Sequence, residues 1–208
     1  MTFADLRLSD FLDAVAAKQP TPGGGAVASV VAALAAALGR MVVNYSAGKK
    51  SLLAHDALHQ GALRSLQELG ARALELAEED AAAYGRLNAL WKLEKNDPKR
   101  IAEFGAAVEQ AIAAPHAVLH ACMETLRLLQ RLCGATSRSL ASDLAMAAIL
   151  AEAGARSAAW NVRINLPLLE DESVKQMFEQ TLEQTLGDAG NIAREIELAC
   201  MRQTKPSH

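Results

Sequence analysis

The stretch QPTPGGGAVASVVAALAAALGRMVVNYSAGKKS, residues 19–51, decides the fold. Pro20, Pro22 and the glycines Gly23, Gly24 and Gly25 set a turn. An alanine- and valine-dominated run follows, uncharged until Arg40, and Gly48 is a natural stop before Lys49-Lys50. Alanine is the strongest helix former, so the run reads as one long helix. Gly25, Ser29, Ala32, Ala33 and Ala36 place small side chains at three- and four-residue steps, which lets a second helix approach closely. A bilayer span needs about 20 apolar residues, and Arg40 interrupts this run, so the expected environment is protein rather than lipid. A glycine turn opening an apolar helix also leaves backbone N–H groups and a positive dipole end, suited to an anionic or polar ligand.

Outward from this stretch, helical spacing recurs. Ser9 and Asp10 open a short helix over residues 11–17, and Ser51 caps a third that runs to about Leu93. Asp97-Pro98 start a fourth, which Pro115 is expected to kink and Gly134 ends. A fifth begins among Ser137, Ser139 and Ser142 and runs toward Asn165; a sixth begins at Glu170-Asp171 and runs to about Arg202. No stretch reads as a strand. The expected architecture is all-α: a single domain over residues 1–208, an antiparallel bundle of about six mostly long helices. Only 4% of the residues are aromatic while 51% are hydrophobic, which fits helices packed through small side chains.

Polar residues that break the pattern mark the candidate site. On the third helix Leu66, Leu69, Ala73, Leu76, Leu87 and Trp91 share one face at 100° per residue. Asp80 falls inside that stripe with Tyr84 one turn on, and an inward carboxylate is costly unless paired or used. On the fifth helix Asp143, Asn161 and Asn165 lie near one face with Ala147, Gly154 and Ala158, while Arg138, Arg156 and Arg163 lie opposite. Asp143 and Asn161 stand about 27 Å apart on a continuous helix, so they cannot serve one reacting atom.

Several chemistries are disfavoured. The Gly23-x-Gly25-x-x-Ala28 spacing lacks the strand of a dinucleotide fingerprint, and Gly48-Lys49-Lys50-Ser51 lacks the first glycine of a P-loop. His55/His59 and His116/His120 have zinc-compatible spacing, yet no glutamate takes the general-base position and no metal is expected. A net charge of −3 gives no field for nucleic acid. Cys122, Cys133 and Cys200 show no metal spacing and read as reduced thiols, and acids stand where a signal peptide has its basic region, so a cytoplasmic location is expected.

PTPGGGAVAS followed by GKK, DAAAY (residues 80–84), Ser142-Asp143 and NVRIN (residues 161–165) resemble the cyclodeaminase-type folate proteins over nearly the whole chain. That family includes the C-terminal half of formiminotransferase-cyclodeaminases and stand-alone bacterial methenyltetrahydrofolate cyclohydrolases, which this chain is most similar to in length. The resemblance implies a cyclodeaminase-like fold, a homodimer or larger assembly, a folate as substrate, no permanently bound cofactor, and no nucleic-acid or membrane partner. It implies hydrolysis of 5,10-methenyltetrahydrofolate to 10-formyltetrahydrofolate. The alternatives are cyclisation of formiminotetrahydrofolate with loss of ammonia, or a helical dimer that binds folate without catalysis. Asp143 or Asp80 would then stabilise the amidinium and handle the water proton. Lys49 would shuttle a proton to N5, or pair with Lys50 against the glutamate tail. Thr21 and Gly23, Gly24 and Gly25 would contact the ligand, Asn161 and Asn165 would read pterin or tail amides, and Tyr84 would stack on a ring. The glycine turn and the lysines bracket a helix about 30 Å long, so they are expected to meet other helices, or each other across a dimer.

Overall fold

A computed structural model describes residues 2–204. It contains six α-helices: α1 (Leu8–Ala16), α2 (Gly24–Ser46), α3 (Asp56–Trp91), α4 (Pro98–Leu132), α5 (Ala141–Asn165) and α6 (Glu172–Thr204), with short 3-10 turns between and no strand among the described residues. The helices α2, α3, α4 and α5 form a four-helix bundle in which α2 packs on α3 and α5, and α4 closes the other side. α6 lies outside against α5 and α4.

The small residues of α2 do what their spacing predicts. Ala28, Ala32, Ala35, Ala36 and Gly39 are buried, and α5 answers with Ala147, Ala151, Gly154, Ala155 and Ala158. The approach is close enough that a Cβ on Gly154 would lie 2.9 Å from Cys122 Sγ and 3.5 Å from the backbone nitrogen of Ala32. Larger side chains fill the centre: Leu66, Leu76, Leu87, Leu119, Leu126 and Leu144 are fully buried. Truncating one of these leucines to alanine costs about 2–5 kcal/mol.

Helix ends depart from the sequence expectation in instructive ways. Residues Lys50–His55 form a 3-10 turn, so α3 starts at Asp56 rather than at a Ser51 cap. α1 begins at Leu8, two residues before the Asp10 signal, with Arg7 as N-cap. α4 is one continuous helix through the buried Pro115, capped by Asp97, whose side chain accepts from the backbone nitrogens of Lys99 and Arg100. Asp171 caps α6 in the same way, accepting from Ser173 and Val174. Gly48 (φ 74°) and Gly134 (φ 79°) take left-handed conformations just past α2 and α4, where a side chain would be strained.

α2 corrects one reading. It is long and apolar enough to cross a bilayer, with a mean hydropathy of 2.1 in its best window, so Arg40 does not make the run too short. Half of that window is buried inside the bundle, as in a core helix.

Candidate active site at the glycine turn

Antiparallel packing places the start of α2 against the middle of α3 and the end of α5. Gly25 meets Asp80 there: a Cβ on Gly25 would lie 2.0 Å from Asp80 Oδ2, so only glycine leaves room for the carboxylate. Gly24 meets the Asn161 amide, whose Oδ1 is 3.3 Å from where a Cβ would stand. The first turn of α2 starts at Gly24, and Val27 makes the first backbone bond back to Gly23 at 3.1 Å. The amides of Gly24, Gly25 and Ala26 therefore have no acceptor within the helix. The triple glycine thus serves two purposes: it bares the turn's N–H groups and admits the side chains of Asp80 and Asn161.

These groups surround a cavity of about 380 Å3, within the range of small-molecule sites. Thr21 and the three glycines form one wall and Asp80 and Tyr84 another, with Asn161 and Asn165 opposite. Asn165 Nδ2 donates to the carbonyls of Ala111 (3.0 Å) and Asn161 (2.9 Å), which fixes the amide and leaves its Oδ1 for a ligand. Asn161 Nδ2 donates to Ser157 O at 3.2 Å. Asp80 is the cavity's only charged lining residue, with no hydrogen bond or ion pair among the described residues. Burial pushes its carboxyl above the usual carboxylate range. A half-buried acid of this kind holds a proton more readily than an exposed one, as a group that takes and returns a proton needs.

Trp91 requires a correction. The apolar stripe of α3 predicts a core residue, but Trp91 is 39% exposed and lines the cavity together with Ile164 and Leu168. At the end of α3 the stripe no longer faces a packed helix. The seven-residue step from Tyr84 to Trp91, two turns on one face, was the available signal for a second aromatic wall.

The remaining predicted residues lie at the opposite end of α2. Lys49 and Lys50 are exposed, and Lys49 Nζ donates to Ser137 Oγ at 2.8 Å. Ser137 Oγ is 3.0 Å from Ser139 Oγ, and the Ser137 amide donates to Ser46 Oγ at 2.9 Å. The fully buried His59 steadies this loop: its Nε2 lies 2.7 Å from Ala135 O, so the histidine ties α3 to the loop. A second cavity of about 480 Å3 opens here, lined by Lys49, Ser137 and Arg138 and by no carboxylate. Asp143 sits half-buried on the first turn of α5, near this end and far from Asn161. The structure therefore brings together Thr21, Gly23, Gly24, Gly25, Asp80, Tyr84, Asn161 and Asn165, and separates them from Lys49, Lys50 and Asp143 within one protomer.

Known proteins share this arrangement of chain. A methenyltetrahydrofolate cyclohydrolase of Methylorubrum extorquens is 30% identical over 193 residues, covering 91% of this chain and 93% of its own length. A formimidoyltransferase-cyclodeaminase of Rattus norvegicus is 31% identical over 189 residues, 89% of this chain but 35% of the rat protein. In the crystal structure of formiminotetrahydrofolate cyclodeaminase from Thermotoga maritima, the matched fold has a TM-score of 0.82 at 28% identity, covering 96% of each chain. The family model described as formiminotransferase-cyclodeaminase matches residues 7–184, and the chain belongs to that family.

Proposed function

We propose that this protein is a methenyltetrahydrofolate cyclohydrolase, which reversibly hydrolyses 5,10-methenyltetrahydrofolate to 10-formyltetrahydrofolate. The observation that carries the reading is Asp80, an unpaired, half-buried carboxylate seated on the open first turn of α2 inside a cavity with aromatic walls. The full-length similarity to a cyclohydrolase supports it.

The substrate's N5–C–N10 unit is an amidinium cation, and Asp80 supplies the opposite charge. Water adds to the central carbon and Asp80 takes one of its protons. The C–N5 bond then breaks, the carboxyl returns that proton to N5, and the remaining hydroxyl proton leaves to solvent as the formyl C=O forms on N10. One water is consumed and one proton released, and the same groups run the reverse reaction. Positioned acid–base groups contribute about 10²–10⁴-fold to such steps. Tyr84 and Trp91 face a flat ring, and Asn161 and Asn165 supply amides for its polar edge. The protein works as a homodimer, supported by the apolar outer face of α2 and α5. It works in the cytoplasm, where its three free cysteines remain reduced.

A second reading has specific support. The Thermotoga neighbour is a cyclodeaminase, and the same cavity would serve cyclisation of formiminotetrahydrofolate with loss of ammonia. The deciding experiment follows the loss of methenyl absorbance while formiminotetrahydrofolate is assayed in parallel for ammonia. Hydrolysis of the methenyl compound without ammonia from the formimino compound is expected. Ammonia release at a comparable rate establishes the second reading, and no absorbance change in either direction overturns both.

A further inference from the structure

Two hydroxyls buried inside the helices close on their own backbone: Ser46 Oγ donates to Val42 O at 2.7 Å and Thr125 Oγ1 to Ala121 O at 2.8 Å. That back-bond is the ordinary refuge of a serine or threonine within a helix. Ser29, on α2 and fully buried, does not take it. Its Oγ has no hydrogen-bond partner among the described residues, and a buried hydroxyl without one is costly. The hydroxyl is therefore turned from the Gly25 carbonyl toward whatever packs on α2.

Its position says what that is. Residues four apart on a helix share a face, with about 5–6 Å between Cβ atoms. Four residues before Ser29 stands Gly25, where the Asp80 carboxyl occupies the place of the missing Cβ. α2 and α3 run antiparallel in a register fixed at three points: Asp80 on Gly25, Ala36 on Gly70 (3.6 Å) and Leu66 on Gly39 (3.5 Å). That register sets Ser29 level with Leu76 and Ala77, one turn of α3 from Asp80. Side chains lean toward the N-terminus of their own helix. Ser29 thus leans toward Gly25, while Asp80, on a helix of opposite direction, leans toward Ala77. The two enter one gap from opposite ends. Leu76 and Ala77 are fully buried and apolar, so Asp80 supplies the polar group within reach. No direct bond joins the two groups, and a gap of about 5–6 Å is spanned by one water making two hydrogen bonds of about 2.8 Å.

We propose that Ser29 is the positioning residue of Asp80: through one buried water it hydrogen-bonds the carboxyl oxygen that lies against Gly25, and so holds the other oxygen toward the cavity. The hydroxyl donates to the water and the water donates to the carboxylate, which favours the charged form that faces the amidinium. Ser29 is not part of the cavity lining, so its effect on the reaction passes through Asp80. The inference rests on the cyclohydrolase reading for the role of Asp80, and not for the contact itself.

Ser29→Ala tests it. Alanine is the better helix former and the change removes a single heavy atom, so the fold is retained. Turnover (kcat) is expected to fall about tenfold with KM unchanged, and the acid limb of kcat/KM to move up by about one pH unit, the worth of one hydrogen bond to a charge. The sign follows from the bond: a carboxylate that loses a donor keeps its proton to higher pH. Asp80 is the one acid lining the cavity and Tyr84 the only other titratable group there, so the limb reports Asp80. Unchanged kinetics overturn the proposal, and so does a loss of kcat with the limb in place, which is what disturbed packing gives. A thermal cycle decides the contact without catalysis: Ser29→Ala is expected to lower the melting temperature of the protein that keeps Asp80, and not that of Asp80→Ala. Equal changes in both backgrounds overturn the link. A wild type that does not hydrolyse methenyltetrahydrofolate overturns the cyclohydrolase reading instead, and the thermal cycle still decides whether Ser29 and Asp80 are joined.

Discussion

Gly25→Ala separates a site role for Asp80 from a structural one. The added Cβ would stand 2.0 Å from Asp80 Oδ2, 2.3 Å from Cγ and 2.5 Å from Oδ1, while ordinary contact begins at 3.4 Å. The carboxylate must therefore retreat by roughly 1.4 Å, and it can, because it ends a side chain rather than a backbone segment. Alanine in a helix is favoured over glycine by about 0.5–1 kcal/mol, so the fold need not suffer. A catalytic group displaced by about 1 Å loses on the order of 100-fold in rate, about 2.7 kcal/mol of barrier. The expected variant melts at the wild-type temperature or slightly above and shows kcat/KM on methenyltetrahydrofolate down about 100-fold. Gly61→Ala is the control: it is on the same helix as Asp80, and a Cβ there meets nothing within 4 Å. If Gly25→Ala stays within about threefold of wild type, the Asp80–Gly25 contact is packing and the proposed mechanism fails.

Asp80→Asn should raise the melting temperature at pH 7 while abolishing turnover. With its folded pKa raised by burial, Asp80 favours folding fully only below its unfolded value of 3.8, and that support is lost as pH rises through the folded pKa. The variant's advantage should therefore vanish in strong acid, and a lower melting temperature at pH 7 would make Asp80 a structural acid. In the wild type, kcat/KM should fall on an acid limb lying above 3.8, as the carboxylate takes up a proton. With only two tryptophans in the chain, a Trp160→Phe protein reports Trp91 alone. Its fluorescence should be quenched by a folate analogue, and Trp91→Leu should weaken binding by about tenfold, whereas unquenched fluorescence would remove Trp91 from the ligand wall. His59→Ala should destabilise the fold by about 2–4 kcal/mol, since it empties a buried site and strands the Ala135 carbonyl. A melting temperature near wild type would show that the loop before α5 holds without it.

What was legible in the sequence follows from what a helix repeats. Spacing at 3.6 residues gave the buried leucines of α3 and the small residues of α2, because both depend only on position within one helix. Asp80 stood out by the same arithmetic, as a carboxylate inside an apolar stripe. Helix ends were less legible: the 3-10 turn over Lys50–His55 carries residues that suit either helix type. Trp91 was misread because periodicity names a face without saying what the face meets.

The pairing of Gly25 with Asp80 and of Gly24 with Asn161 belongs to a different class of information. Neither can be read from one helix; each requires the register of two antiparallel helices, which is set by how closely their small residues let them approach. Gly154 shows the closeness, since even an added Cβ there would stand 2.9 Å from Cys122 Sγ and already at contact distance, 3.5 Å, from the α2 backbone nitrogen of Ala32. The alanines and glycines of the bundle therefore do more than fill it. By fixing the spacing of α2 and α5, they decide which polar residues share the cavity at the glycine turn. The same packing holds Lys49 and Asp143 at the far end. Chain order and family likeness grouped those residues with the site, whereas the 23 residues of α2 between them keep them apart within one protomer.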